Sequence, residues 1–284
     1  MQPETRAGRK AQRICSAKNI TLAMLRRPLS WDDREGMRRV QSELGIAADG
    51  LFWKDSATAF AEQHAGYGIR DHDFIAPPDG VQWLNFLHTN VHAWGGRVQW
   101  MKTPDCIFVH ESVTTTWQRA ISVLTKRHLS VCLVLPRDGD RLSVFQHCDL
   151  YRKTLHAGGG FNNRSVSCEV IGPYYGRHWH PGLGGKLIKP CDWSHKGKSQ
   201  GYITPTDAQI ETLSRVIEWL WDCMPTIPRG RWVGERGGEM VLGKLSKPNR
   251  EPRPGVWAHH YTAHHADGAY PVAMARALCR ARKA

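Results

Sequence analysis

Four histidines and one aspartate are crowded into the segment from His259 to Asp267, near the end of the chain. Imidazole and carboxylate groups together are the ligands that zinc and similar divalent ions prefer. The segment is too short to supply a complete site with good geometry, so a third ligand is expected from elsewhere in the chain. A catalytic site would leave a fourth position for water. The alternative interpretation is a polar loop that is rich in histidine.

Short apolar runs that begin at Cys106 predict the strands that must position such a site. Buried strands are predicted at 106–110, 131–135 and 166–171, and an alternating strand at 142–146. The turn 137–140 would join the second strand to the alternating one as a hairpin. Because helical patterns separate the other strands, the predicted fold class is α/β, with a central mixed β-sheet flanked by helices.

Helix signals surround these strands. Apolar spacing predicts a helix over 114–127, capped by Ser112 or Thr114. A second helix is predicted to start with Thr204 as N-cap and Asp207 closing a capping box. The stretch 173–203 shows no periodicity, and we expect a long surface loop or an insertion near the site there.

The N-terminal part of the chain predicts a small helical module. A helix is expected from Ser30, as N-cap, to Gly45, and a second one over about 56–64. The Pro- and Gly-containing stretch 75–80 is the best linker candidate. Residues 82–104 are expected to form a helix that leads into the next domain.

Composition limits the class of protein and its partners. The net charge of +13 favours attraction to polyanions such as nucleic acid or the anionic polymers of a bacterial wall, although a basic surface kept for solubility is an equal alternative. No apolar run is long enough to cross a membrane, and no secretory signal peptide is recognised at the N-terminus. The eight cysteines form no C-x-x-C pair and are expected to be reduced thiols in a chain made in the cytoplasm.

The run from Val40 to Phe52, followed by 56–60, resembles the peptidoglycan-binding repeat of bacterial and phage wall enzymes. That repeat has a leucine-glutamine helix, an aspartate-glycine-x-phenylalanine turn and a second helix. Trp53 replaces the usual glycine. The resemblance implies a wall-binding module, and the alternative is a plain helical hairpin without a ligand.

Three separated segments, at 109–112, 163–172 and 259–267, together resemble the zinc-dependent N-acetylmuramoyl-L-alanine amidases and the related peptidoglycan-recognition proteins. The resemblance spans about residues 100 to 275. It implies a Zn²⁺ cofactor held by His110, His259 and Asp267, with His260 as the alternative to His259.

The same resemblance implies further roles at the site. Glu169 matches the catalytic glutamate of the family, which carries a proton from water to the leaving amine. His265 stands where the family often has a lysine, and as an imidazolium it could stabilise the oxyanion. His156, before a glycine-rich loop, and Asn163 are assigned to substrate binding. Cys168 should point to the opposite sheet face and belong to the core.

The domains expected are a basic tail at 1–29, a helical module at 30–76, a linker and lead-in at 77–100, and a catalytic domain at 101–284. The resemblance implies a peptidoglycan hydrolase that cuts the amide between N-acetylmuramic acid and L-alanine. A phage endolysin or virion-associated lysin that acts on the cell wall is expected. The alternatives are a non-catalytic peptidoglycan-binding protein of the same fold, a cytoplasmic muropeptide-recycling amidase and, on charge alone, a nucleic-acid-binding protein.

Overall fold

The computed structural model divides the chain into two compact units. The first comprises Met1–Pro77, Trp83–Val91 and Gln146–Leu150, and the second comprises Pro78–Gln82, His92–Phe145 and Tyr151–Ala284. The structure describes residues 10, 33–51, 54–63, 66–71, 73–85, 99–101, 103–158, 160–193, 197–243, 253–262 and 267–284. Apart from Lys10, the predicted basic tail lies outside the described residues, as does the proposed cap Ser30.

Two helices and a β-hairpin form the described start of the first unit. They are α1 (Arg34–Glu43), α2 (Lys54–Gln63), β1 (Gly68–Arg70) and β2 (Asp73–Ile75), and β1 and β2 pair antiparallel. Helix α1 begins after Asp33, whose carboxylate accepts a hydrogen bond from the Gly36 amide at 2.9 Å. Its end is marked by Gly45, which adopts a φ of 67° that suits glycine.

A buried glutamine holds the turn between α1 and α2. Gln41 Nε2 donates to Asp49 and Ser56, and Gln41 Oε1 accepts from the Gly50 amide. A Cβ at Gly50 would lie 2.7 Å from the carbonyl oxygen of Arg34, so the turn requires glycine there. The predicted helix–turn–helix pattern is therefore confirmed for the described residues.

The helix predicted over 82–104 is wrong at its start, where the chain forms β3 (Gln82–Asn85). Gln82 is exposed and Trp83 is buried, an alternation that belongs to a strand. The Trp83 indole donates to Gln146 Oε1 at 3.0 Å within the first unit. Residues 86–98 and 102 of the predicted helix lie outside the described residues.

Parallel strands form the centre of the second unit. The strands are β4 (Cys106–Glu111), β5 (Leu133–Leu135), β6 (Ser143–Gln146), β7 (Ser165–Val170) and β12 (Gly255–Ala258). Neighbouring strands follow the order β12-β4-β7-β5-β6, and β4 is parallel to both β12 and β7. Strand β5 is also parallel to β7, whereas the short connection 136–142 requires β6 to run antiparallel to β5. The sheet is therefore mixed and flanked by helices, as predicted.

The helices of the second unit are α3 (Trp117–Lys126), α4 (Gly197–Gln200), α5 (Asp207–Cys223) and α6 (Ala269–Ala281). Two of them, α3 and α5, start later than the sequence predicts. Thr116, rather than Ser112 or Thr114, caps α3. Thr206 and Gln209 form the capping box of α5, so Thr204 is not its N-cap and Asp207 is its first residue.

Helix α5 buries an apolar stripe along one face. Leu213, Ile217 and Leu220 are all fully buried, and each contributes about 1.5–3 kcal/mol through removal of apolar surface from water. The Gln209 amide of the same helix donates to the carbonyl oxygens of Leu135 and Ile171, where β5 and β7 end.

The stretch 173–203 is not a structureless surface loop, and the structure favours the other alternative, an insertion. It contains short 3₁₀ helices, α4 and the antiparallel pair β8 (Leu187–Ile188) and β9 (Tyr202–Ile203). Cys191 and Tyr202 are buried in a small core of its own. The Arg137 guanidinium donates to the Leu183 and Gly184 carbonyl oxygens. These bonds hold the segment against the rest of the second unit.

A second hairpin, β10 (Glu235–Arg236) and β11 (Glu239–Met240), is tied to α6. The Glu235 carboxylate accepts two hydrogen bonds from the Arg276 guanidinium and a third from Arg280. Among the described residues, seven cysteines are free thiols; Cys15 lies outside that part of the chain.

Candidate active site

Two histidines and an aspartate meet at the carboxyl ends of neighbouring parallel strands. His110 stands near the end of β4, His259 directly follows β12, and Asp267 lies just before α6. The Nδ1 atoms of the two histidines are 3.0 Å apart. His259 Nδ1 is 3.2 Å from both carboxylate oxygens of Asp267, and all three side chains are buried. We call these three residues the His-His-Asp cluster.

The cluster fits a divalent metal ion by its donors and by its unsatisfied atoms. One ligand atom from each side chain lies within 4.8 Å of the others. Within the described residues, Asp267 Oδ1 is buried without a hydrogen-bond partner, which is costly unless a cation neutralises it. Two imidazoles and one carboxylate form a typical catalytic zinc set. Oδ1 of Asp267 therefore offers a lone pair suited to binding a metal ion.

Asp267 is held in its ionised form by the imidazoles that face it. Burial by itself raises the pKa of this carboxyl, but His259 and His110 outweigh that effect and bring the pKa well below its usual range. The backbone amide of Glu111 donates to Asp267 Oδ2 at 3.2 Å, and the His260 amide donates to the Asp267 carbonyl oxygen.

Glu169 faces the cluster from the next strand. It pairs with His110 in the register of β7 and β4, so the two side chains project from the same sheet face. Burial raises the pKa of Glu169 to about 8, and the nearby Asp267 and Glu111 carboxylates add to the rise. A carboxyl group with such a pKa can accept and return a proton near neutral pH. As predicted, Cys168 is fully buried, with burial raising the pKa of its thiol.

Glu111 is a buried carboxyl group that the sequence analysis did not identify. Its Oε1 accepts a 2.5 Å hydrogen bond from the Tyr202 hydroxyl, and its Oε2 accepts a 2.8 Å bond from the Gly268 amide. Burial raises its pKa to about 7, with Asp267 contributing. A glutamate directly after the predicted ligand His110, at the end of an apolar run, was the available sequence signal.

The cluster opens into a cleft of about 460 Å³. Its polar lining includes Ser112, Thr114 and Tyr174 beside the cluster and Glu169. The apolar lining comes largely from α3 and nearby loops. It comprises Ala120, Val123, Leu124, Leu129, Val131 and Leu155, and Arg127 adds a cation. The cleft can therefore take a substrate with both apolar and polar groups.

Of the two residues predicted to bind substrate, His156 lines the cleft and Asn163 does not. His156 lines the cleft, and its Nδ1 is 3.0 Å from His110 Nε2. Burial lowers its pKa well below the usual value, and His110 and His259 add to this. Asn163 is exposed and does not line the cleft; the 3₁₀ turn instead directs Asn162 inward, to accept from the His156 and Ala157 amides.

The same geometry distinguishes the two alternative ligands of the histidine-rich segment, His259 and His260. Among the described residues, His259 belongs to the His-His-Asp cluster, and His260 does not. His260 is buried, and the structure shows its ring near that of Tyr261. The proposed oxyanion-stabilising His265, and His264 beside it, lie outside the described residues.

A family profile matches most of the second unit. The Amidase_2 profile, described as N-acetylmuramoyl-L-alanine amidase, covers residues 100–267, which is more than half of the chain. The chain belongs to this amidase family. The family identifies it as a hydrolase with peptidoglycan amidase activity, and the match ends at the predicted ligand Asp267.

Comparison with curated protein sequences gives no match to the amidase. Among solved structures it is similar to the N-acetylmuramoyl-L-alanine amidase LysC of Clostridium intestinale URNW, with 12% identity, a TM-score of 0.42 and coverage of 70% of this chain and 97% of that chain. It is also similar to the hydrolase AmiA of Staphylococcus aureus in complex with its ligand (14% identity, TM-score 0.40, 74% of this chain and 88% of that chain).

A third similar structure is the amidase AmiD of E. coli in complex with the substrate anhydro-N-acetylmuramic acid-L-Ala-D-gamma-Glu-L-Lys. Its identity to this chain is 14% and its TM-score is 0.32, with 49% of each chain covered.

In the described part of the amidase, no helix is long and apolar enough to cross a lipid bilayer.

Proposed function

We propose that the amidase is zinc-dependent and hydrolyses the amide bond between N-acetylmuramic acid and L-alanine. The observation that carries this proposal is the buried His-His-Asp cluster, with its ligand atoms within 4.8 Å and an unpartnered carboxylate oxygen among the described residues. His110, His259 and Asp267 would hold the ion. Bound zinc would polarise the scissile carbonyl and lower the pKa of a water to about 7.

The chain's own residues then supply proton transfer and orientation. Glu169 accepts the proton of the attacking water and returns it to the amine of L-alanine as the amide bond breaks. Its raised pKa supports both steps, because a carboxyl group that titrates near neutral pH takes up a proton more strongly than an ordinary glutamate and can still return it to the leaving amine. Ser112, Thr114 and Tyr174 provide hydroxyl groups beside the reacting centre for the polar parts of the substrate.

We also assign His265 to electrostatic stabilisation of the oxyanion that develops on the carbonyl. A protonated imidazole can donate a charge-assisted hydrogen bond to that oxygen. His265→Gln should lower kcat while leaving zinc content unchanged. A variant with wild-type kcat across the pH range would remove this residue from the mechanism.

Support for hydrolysis over simple peptidoglycan binding comes from the complete ligand set together with Glu169 in the same cleft. The test is to incubate purified bacterial walls with the protein, with and without a chelator, and to measure newly exposed L-alanine amino groups. We expect new L-alanine amino groups only with the metal-loaded protein. If no new amino groups appear under conditions where the walls bind the protein, the non-catalytic alternative is favoured.

For the cellular role, we propose a lysin that acts on intact walls, with the helical module at 30–76 as a wall-binding element and 101–284 as the catalytic domain. The helix–turn–helix at α1 and α2 and the net charge of +13 support this role. A lysin should cut insoluble walls faster than soluble muropeptides, and a recycling amidase should show the opposite preference. The two rates, measured with the same protein preparation, distinguish these roles.

A further inference from the structure

A line of hydrogen bonds leads from His110 away from the cluster, through two further side chains. His110 Nε2 lies 3.0 Å from His156 Nδ1, and His156 Nε2 lies 2.9 Å from the hydroxyl oxygen of Ser165. Ser165 is fully buried on β7, and its hydroxyl donates to the carbonyl oxygen of Phe161 at 2.7 Å. The line therefore ends on a backbone carbonyl, which can only accept.

This end point determines the direction of every proton in the line. Ser165 has one hydroxyl proton, and the Phe161 carbonyl takes it, so Ser165 must accept a hydrogen bond from His156 Nε2–H. In neutral His156 the other ring nitrogen, Nδ1, is then an acceptor. His110 must therefore donate its Nε2–H to this nitrogen. The other nitrogen of His110, Nδ1, then carries a lone pair, and it faces His259 and Asp267.

We infer that His156 and Ser165 are positioning residues that hold His110 in the tautomer and ring orientation needed to bind the metal through Nδ1. This inference rests on the proposed zinc site. It replaces substrate binding as the role of His156, because both of its ring nitrogens already bond to protein groups. A histidine ligand is commonly oriented in this way by the partner of its second nitrogen.

The surroundings hold His156 in place for this task. The Asn162 side chain accepts hydrogen bonds from the His156 and Ala157 amides at 3.1 and 3.0 Å. The ring of Phe108 packs edge-on against His156, with 5.2 Å between centroids, and also lies 5.0 Å from His110. The orienting pair is thus built into strand β7 and the turn that precedes it.

The test measures zinc affinity of the full chain by competition with a chromophoric chelator. His156→Ala should weaken zinc binding about 10- to 100-fold, and Ser165→Ala about 3- to 10-fold. His156→Asn should recover affinity to within about fivefold of wild type, because its carbonyl oxygen can stand near the position of Nδ1.

Ser167→Ala is the matched control. Ser167 is also fully buried on β7, but its hydroxyl bonds Thr154 and the Cys132 amide, so its removal should leave zinc affinity within about twofold of wild type. Two-bond ¹H–¹⁵N NMR of the metal-free wild type provides a readout that needs no variant to fold. Both His110 and His156 should be protonated at Nε2.

Unchanged zinc affinity in His156→Ala, or a proton on Nδ1 of His156, would overturn the inference. If the wild type binds zinc and cuts walls while His156→Ala binds zinc equally well, only the positioning role fails. If the wild type binds no zinc, the proposed function and the positioning role fail together.

Discussion

Glu169 and Asp267 are both buried carboxyl groups, yet their surroundings shift their pKa values in opposite directions. Burial raises the pKa of Glu169, and the facing carboxylates raise it further. For Asp267 the histidines of the cluster outweigh burial and lower the pKa. Opposite shifts in one site would suit the proposed roles of Asp267 as an ionised ligand and Glu169 as a proton carrier.

We predict that Glu169→Gln lowers kcat about 10²- to 10⁴-fold, because the amide cannot carry the proton, and leaves zinc binding intact. The rate of amino-group release from walls and the zinc content of the protein measure the two effects. Glu239→Gln, at an exposed position on β11, is the control and should match wild type. A Glu169→Gln variant that cuts walls at the wild-type rate would contradict the assigned proton transfer.

At this scale, the sequence predicts residue types better than contacts. His110, His259 and Asp267 were expected from their order along the chain, and the structure brings their side chains together. The contact of His156 with His110 depends on a turn and a parallel strand pairing that no local pattern encodes. Asn162, rather than Asn163, lines the cleft from the same turn, because a 3₁₀ helix directs successive side chains to different sides.

At the scale of elements, the turn before α6 determines where Asp267 stands. Gly268 has a φ of 87°, its amide donates to Glu111, and an added Cβ would lie 2.2 Å from the carbonyl oxygen of Val109. The turn and the end of β4 are therefore in direct contact, and the ligand is fixed by both.

Gly268→Ala should destabilise the fold by more than about 2 kcal/mol and weaken zinc binding, because the turn must move away from Val109. Thermal or urea unfolding and zinc competition measure these effects. Gly139→Ala is the control: its φ is 58°, but an added Cβ meets nothing within 4 Å, so only about 1 kcal/mol of strain is expected. Equal effects of the two substitutions would show that the close approach at Val109 does not matter.

The link between β10 and α6 should appear as a pH-dependent stability. The hydrogen bond from Arg276, with help from Arg280, lowers the pKa of Glu235 below its ordinary value. A carboxyl with a lowered folded-state pKa contributes stability above its unfolded pKa of about 4.3 and loses that contribution as the pH falls through the folded-state pKa.

Glu235→Gln should therefore cost about 1–2 kcal/mol of unfolding free energy at pH 7, and the difference from wild type should shrink as the pH falls below about 4. Urea unfolding of both proteins across this pH range provides the measurement. A difference that stays constant with pH would mean that the ionised pair with Arg276 contributes nothing.

Helix starts were the least predictable elements, for a physical reason. Thr114 and Thr204 were expected as caps, and Thr116 and Thr206 take that position. Each pair lies two residues apart, and either hydroxyl could accept the bond from the first turn. For α5, tertiary packing favours Thr206. The Gln209 side chain accepts from the Thr206 amide and also donates to the Leu135 carbonyl oxygen at the end of β5.

At the scale of the whole molecule, strands β4 to β7 and helices α3 and α5 were predictable because their apolar patterns are distinct. The small core around Cys191 and Tyr202 was not, because it is built from short elements without periodicity. Tyr202 reaches Glu111 from this core, so an element that looked irregular in sequence contacts a residue beside the active site.

The net charge of +13 predicts salt-sensitive binding to anionic walls. The bound fraction of the Glu169→Gln protein, measured by co-sedimentation with walls, should fall as salt rises from about 0.05 to 0.5 M. Walls stripped of their anionic polymers should show weaker binding and less salt dependence. Equal binding to both wall preparations at all salt concentrations would exclude an electrostatic contribution. Tighter and more salt-sensitive binding to DNA would favour the nucleic-acid alternative.

The central claim is that one zinc ion at the His-His-Asp cluster supports amide hydrolysis, and a zinc titration of metal-free protein tests it most directly. The number of N-terminal L-alanine amino groups exposed in purified walls should rise in proportion to added zinc and level off at one ion per chain. Asp267→Ala should show no such rise at these zinc concentrations. Full activity in the metal-free protein, or a zinc-dependent rise that is unchanged in Asp267→Ala, would contradict the claim.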